Sequence, residues 1–165
     1  MSILNFIVWP NKLLNVPSKN VEKFDTNIEN ISHNLIVTMN ANNGIGLAAP
    51  QCGIHLKIIV VSCDNTGPIT LINPEIISCS EEQFEVNEGC LSVPGYYENR
   101  QRPRCITVKY NNIHGILYIE TFNDLLAFCI QHEIDHINGK TFVDNVSQLK
   151  KNVIQRKIIK TLKHK

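Results

Sequence analysis

Apolar residues recur at helical spacing at Ile28, Ile31, Leu35 and Met39, just after Asp25, whose carboxylate suits a helix N-cap. This pattern predicts a helix ending near the turn cluster Asn42-Asn43-Gly44. The unbroken apolar run in Lys57 to Ser62 (KIIVVS) predicts a buried strand. Shorter strands are expected at Pro68 to Ile72, Phe84 to Asn87, Cys105 to Tyr110 and Ile116 to Thr121, separated by Gly, Pro and Asn. Asn111-Asn112 followed by His114-Gly115 predicts a hairpin turn between the last two. Asn123 is placed to cap a helix of about sixteen residues that stops at Gly139, a residue suited to the C′ position. Ser147 is placed to cap a final amphipathic helix carrying Leu149, Val153, Ile158 and Leu162. Helix, several short strands, helix, helix is an α+β order with antiparallel strands.

Composition narrows the class without choosing a function. A chain of 165 residues with 43% hydrophobic content can bury one core, so residues 1–165 are expected to form a single domain. A net charge of +1 gives no general attraction to DNA or to an anionic membrane. Lys and Arg gather between Lys150 and Lys165, as they do on a solvated helix face. No apolar run is long enough to span a bilayer, and Met1 to Val8 lacks the features of a secretory signal. The six cysteines (Cys52, Cys63, Cys79, Cys90, Cys105 and Cys129) form no CxxC pair, which fits reduced thiols in a cytoplasm.

Chemistry enters at His132-Glu133-Ile134-Asp135-His136, an HExxH sequence inside the second expected helix. Positions i and i+4 share one helix face, so both imidazoles can reach one metal ion and Glu133 can reach a water beside it. A catalytic ion needs a third protein ligand. The metzincin continuation fails because its third histidine position is Phe142, and no Glu follows Glu133 to serve as in thermolysin. Asp144 and His164 lie downstream; Cys90 lies upstream in Glu88-Gly89-Cys90-Leu91-Ser92, on a bend that can present sulfur. Residue pattern alone leaves Cys90 and Asp144 both open. His33, His55 and His114 read as surface or loop histidines.

A third segment, Gly44-Ile45-Gly46-Leu47-Ala48-Ala49-Pro50-Gln51, is a glycine-rich loop without the Lys-Ser/Thr of a phosphate loop. GIGLAAPQ, EGCLS and QHEIDH, in this order, resemble the three signature motifs of the peptide deformylase family. The resemblance implies an α+β fold in which antiparallel sheets pack around a central helix carrying HExxH, with helices at both ends. It implies Cys90, His132 and His136 as metal ligands and Glu133 as general base, then general acid. Gln51 and the Leu91 backbone N–H would stabilise the oxyanion, and Ile45 and Gly46 would border the substrate backbone. The methionine pocket would be lined by Ile45, Val86, Leu125, Phe128 and Cys129, with Glu88 near its edge. Phe128 is larger than the aliphatic residue expected there, which implies a shallower pocket. Arg102 is either a partner of Glu88 or a surface arginine, and Asp135 matches the family at a position that can support a metal ligand, with the atom it holds left open. The family implies one divalent ion, Fe²⁺ in the cell, with Zn²⁺, Ni²⁺ or Co²⁺ as substitutes. It further implies N-formyl-methionyl nascent peptides as substrates near the ribosome exit, in the cytoplasm.

Overall fold

The computed structural model describes residues 2–63 and 67–163. The first helix, α1 (Thr26–Ala41), starts where Asp25 accepts hydrogen bonds from the Asn27 and Ile28 amides. Ile28, Leu35 and Met39 are its buried stripe. After α1 the chain forms β1 (Gly46–Ala48), a 3-10 turn (Ala49–Cys52), β2 (Ile58–Val61) and β3 (Ile69–Cys79). A hairpin follows, β4 (Gln83–Cys90) and β5 (Val93–Pro103), and then a second, β6 (Cys105–Asn111) and β7 (Leu117–Asn123). The chain closes with α2 (Asp124–Ile137) and α3 (Gln148–Lys163). The larger sheet runs β1-β2-β3-β6-β7, every pair antiparallel; β4 and β5 form a separate two-stranded sheet.

The apolar run in β2 now has a reason. Ile58 and Val60 pack in a cluster with Leu35 and Met39 of α1, while Ile59 and Val61 pack in another with Ile130 and Ile134 of α2. The strand is covered on both faces, so both sets of alternate residues are apolar. The helix α2 therefore lies between the large sheet and the β4–β5 hairpin, which makes the HExxH segment central.

Its end is fixed as the sequence implies. Gly139 adopts φ +71, its N–H reaches the His136 carbonyl at 3.0 Å, and the Lys140 N–H reaches that of Asp135 at 2.9 Å. Asn123 stands at the N-cap but its side chain makes no capping bond. The start of α2 is held instead by Arg104, whose carbonyl accepts from the Asp124 N–H and whose Nε donates to Asp124 Oδ1 at 2.7 Å.

Several boundaries differ from expectation. β3 continues to Cys79 past Pro74, because the register shifts between Ile72 and Glu75 where Asn73 adopts φ +51. The Asn73 side chain there pairs with the Val21 N–H and carbonyl at 2.8 and 2.9 Å. β5 was not expected: it is a long strand of a two-stranded sheet, and its Pro, Gly and charged residues mask alternation. In α3 the buried residues are Ile154 and Ile158, whereas Leu149, Val153 and Leu162 are exposed. Of the four apolar residues expected on the buried face only Ile158 is there, joined by Ile154, so the covered face is rotated from the expected one. Lys150 pairs with Glu98, Lys157 lies over the Tyr96 ring, and Thr161 fits against Gly95, where a Cβ would come within 2.5 Å of its Oγ1. These partners on β5 set the face that α3 presents.

Candidate active site

His132 and His136, one turn apart on α2, bring their Nε2 atoms to 3.2 Å. Cys90 ends β4 at a register shift after Gly89, and its Sγ lies 3.2 Å from His136 Nε2. Sulfur and both nitrogens lie within 4.8 Å of one another, the sole such group of three His, Cys, Asp or Glu side chains among the described residues. Asp144 is engaged elsewhere: its carboxylate accepts from Thr141 N at 2.6 Å and from Asn15 Nδ2 at 3.1 Å. His164 lies outside the described residues.

The ligand cluster is braced by a buried polar chain. His132 Nδ1 lies 2.9 Å from Glu88 Oε2. An ionised carboxylate only accepts, so Nδ1 carries the hydrogen and Nε2 keeps its lone pair for the shared point. Glu88 also accepts from Arg102 Nε at 2.6 Å and Nη2 at 3.0 Å. Burial alone would raise the Glu88 carboxyl, but the hydrogen bonds from His132 and Arg102 and the Arg102 charge bring it down to about 2. Arg102 is buried, not a surface arginine, and its second partner is Asp135 Oδ2 at 2.9 Å. Asp135 therefore supports Arg102, and the carboxylate that orients a ligating histidine is Glu88.

The donors fit a metal ion. Nitrogen and sulfur ligands at ~2.0–2.1 and ~2.3 Å from a tetrahedral ion stand roughly 3.3–3.6 Å apart. The 3.2 Å separations here are close to that spacing. Burial and the neighbouring His132 hold His136 well below its ordinary value, so it is a neutral donor. Burial opposes a charge on His132, yet Cys90 and Glu88 outweigh it and raise His132 well above its ordinary value: this spot attracts positive charge. Cys90, His132 and His136 are thus the residues that can hold one ion.

Two further groups face the cluster. Gln51 sits in the turn after β1, where the Ala48 N–H donates to its Oε1 at 2.8 Å. That contact turns Nε2 outward as a donor, 3.2 Å from Ser92 Oγ and 3.4 Å from Cys90 Sγ. Ser92 stands in the EGCLS motif, yet only the fold shows that it faces Gln51. Glu133 is 3% exposed and its Oε2 has no hydrogen-bond partner among the described residues. Burial pushes its carboxyl up to about 7. A Cβ on Gly46 would fall 2.4 Å from Glu133 Oε1 and 2.6 Å from Cys129 Sγ. Only glycine lets β1 run this close to α2.

A cavity of about 590 Å³ opens beside these groups. Ile45 and Gly46 line one side, Val86 and Glu88 of β4 another, and Leu125, Phe128 and Cys129 of α2 a third. Cys90, His132, Glu133, Gln51 and Leu91 also border it, and His136 lies behind them. Tyr96 and Tyr97 on β5 also line it; they were missed because β5 was missed.

A family model described as polypeptide deformylase matches residues 3–152. Peptide deformylase 1 of Pseudomonas syringae pv. tomato is 43% identical over 162 residues, covering 97% of this chain and 96% of that protein. The solved structure of a peptide deformylase from Legionella pneumophila superposes with a TM-score of 0.92 at 40% identity, covering 98% and 96% of the two chains. That of the Ehrlichia chaffeensis peptide deformylase in complex with actinonin gives 0.93 at 39% identity, covering 98% of each. With three motifs converging on one cavity and relatives matching along nearly its whole length, the chain belongs to the peptide deformylase family.

Proposed function

We propose a division of labour among this chain's residues for the family's reaction. The enzyme is a metal-dependent hydrolase that removes the formyl group from the N-terminal formyl-methionine of newly synthesised proteins and releases formate. The observation that carries the residue assignment is the meeting of Cys90 Sγ, His132 Nε2 and His136 Nε2 beside the buried Glu133 and the Gln51 amide.

Cys90, His132 and His136 would hold the ion. A bound divalent ion supplies Lewis acidity and makes an adjacent water more acidic. Glu133, its proton affinity raised by burial, takes the proton of the attacking water and returns it to the departing amine nitrogen. Gln51 Nε2 and the Leu91 backbone N–H donate to the formyl oxygen as negative charge builds there. Ile45 and Gly46 border the substrate backbone. Val86, Leu125, Phe128 and Cys129 receive the methionine side chain, while Glu88, at the pocket edge, orients His132.

One sulfur and two imidazoles suit Fe²⁺, Zn²⁺, Co²⁺ or Ni²⁺; Fe²⁺ is assigned as the ion used in the cell. The setting is a cytoplasmic one, with nascent chains met near the ribosome exit, and residues 1–165 act as one catalytic domain. Among the described residues no helix is long and apolar enough to cross a membrane.

Formate release from formyl-Met-Ala by protein loaded anaerobically with Fe²⁺ tests this reading. The expected result is turnover that a chelator abolishes. A metal-loaded protein that binds the peptide but releases no formate would instead be a binder without catalysis.

A further inference from the structure

One wall of the cavity is held from outside. Phe128 lines the cavity; Phe84, on β4, does not, yet its ring lies 6.3 Å from that of Phe128 between centroids. On Phe84 the Arg104 guanidinium carbon stands 5.3 Å from the ring centroid. Arg104 is in turn fixed by Asp124 at 2.7 Å and by Glu82 at 3.6 Å. Phe84 is 42% exposed, so burial alone does not hold its ring. Aromatic contact with Phe128 and the Arg104 cation do.

We propose that Phe84 is a positioning residue for substrate selection: clamped by Arg104, it braces Phe128, and the braced ring limits the N-formyl residue to a side chain of about methionine's length. Phe84 acts only through Phe128, which is the group that touches substrate. The proposal rests on the deformylase reading of the cavity. The bracing residues come from β4 and the turn before it, from the segment joining β5 to β6, and from the first residue of α2, so the limit on side-chain length depends on how the hairpin docks against the helix.

The test compares kcat/KM for formyl-Met-Ala with that for the same dipeptide bearing an unbranched six-carbon side chain. In Phe84→Ala the ratio of long to methionyl substrate is expected to rise about tenfold, the scale on which hydrophobic pockets sort substrates by a methylene, and mainly through KM. Phe84→Leu, which keeps an apolar side chain without the ring, should move the ratio the same way if the alanine variant folds poorly. Phe84→Tyr should restore the native ratio, and Arg104→Ala should shift it by a smaller factor. Equal loss on both substrates in Phe84→Ala and Phe84→Leu would overturn the proposal, since a merely structural role lowers both alike. Hydrolysis of formyl-Met-Ala by the native enzyme with an unmoved ratio sinks this proposal alone; no hydrolysis at all sinks the deformylase reading beneath it.

Discussion

The two faces of the β4–β5 hairpin are held in different ways. Towards α2, side chains are locked by short polar contacts: Arg102 bonds Glu88 and Asp135, and Glu88 bonds His132. Towards α3, attachment rests mainly on Ile154 and Ile158 packed with Val93, Phe142 and Val143, with an exposed ion pair at Lys150. The first interface fixes the direction of each functional atom. The second fixes only which side of a helix is covered, and leaves Leu149 76% exposed. Directional bonds suit chemistry; apolar contact suits attachment.

The largest expected effect lies on the α2 side. Glu133→Gln should keep the metal and lower kcat by roughly 10²–10⁴-fold, the usual contribution of a positioned acid–base group. Metal analysis beside steady-state kinetics measures both, and unchanged turnover would remove the residue from proton transfer. On the other face, Ile154→Ala should cost roughly 2–5 kcal/mol of stability in urea unfolding while leaving kcat/KM near native. A matching loss of kcat/KM in protein that remains folded would mean that the two faces are coupled.

Next comes Glu88→Gln, expected to weaken metal binding about 10–100-fold by competition with a chelator, because His132 loses its charged partner. The same substitution changes the acid limb of stability. In the folded protein the Glu88 carboxyl is held down to about 2, against an ordinary value of 4.5. Its contribution is therefore fully present above pH 4.5 and lost as pH falls towards 2, on the order of 3 kcal/mol at most. Glu133 works in the opposite sense: raised from 4.5 to about 7, it lowers stability as pH rises through that window. In chelator-treated protein, Glu88→Gln should flatten the loss below pH 4.5, and Glu133→Gln the loss between 4.5 and 7. The smallest effect belongs to Leu149→Ser, within about 0.5 kcal/mol, since the side chain already faces solvent.

Local patterns made much of this legible. The Asp25 cap, the two-faced KIIVVS strand, the hairpin turn before β7 and the glycine stop of α2 each follow from nearby residues. The paired imidazoles were readable because i and i+4 share a helix face. Cys90 was not fixed by pattern alone: its sulfur lies 46 positions from His136 in sequence, and only the motif resemblance singled it out. What stayed hidden depends on partners distant in sequence. The rotation of α3 is set by Glu98, Tyr96 and Gly95 on a strand whose polar alternation concealed it. Asp135, whose partner the sequence leaves open, supports Arg102, because the helix turns its carboxylate towards β5 and Glu88 already occupies His132.

The central claim is that a thiol from β4 and two imidazoles from α2 share one ion. X-ray absorption on the metal-loaded protein reads this directly. The account predicts one sulfur scatterer at about 2.3 Å beside nitrogen or oxygen at about 2.0–2.1 Å for zinc, with the sulfur gone in Cys90→Ala. A native spectrum with only nitrogen and oxygen neighbours would contradict it.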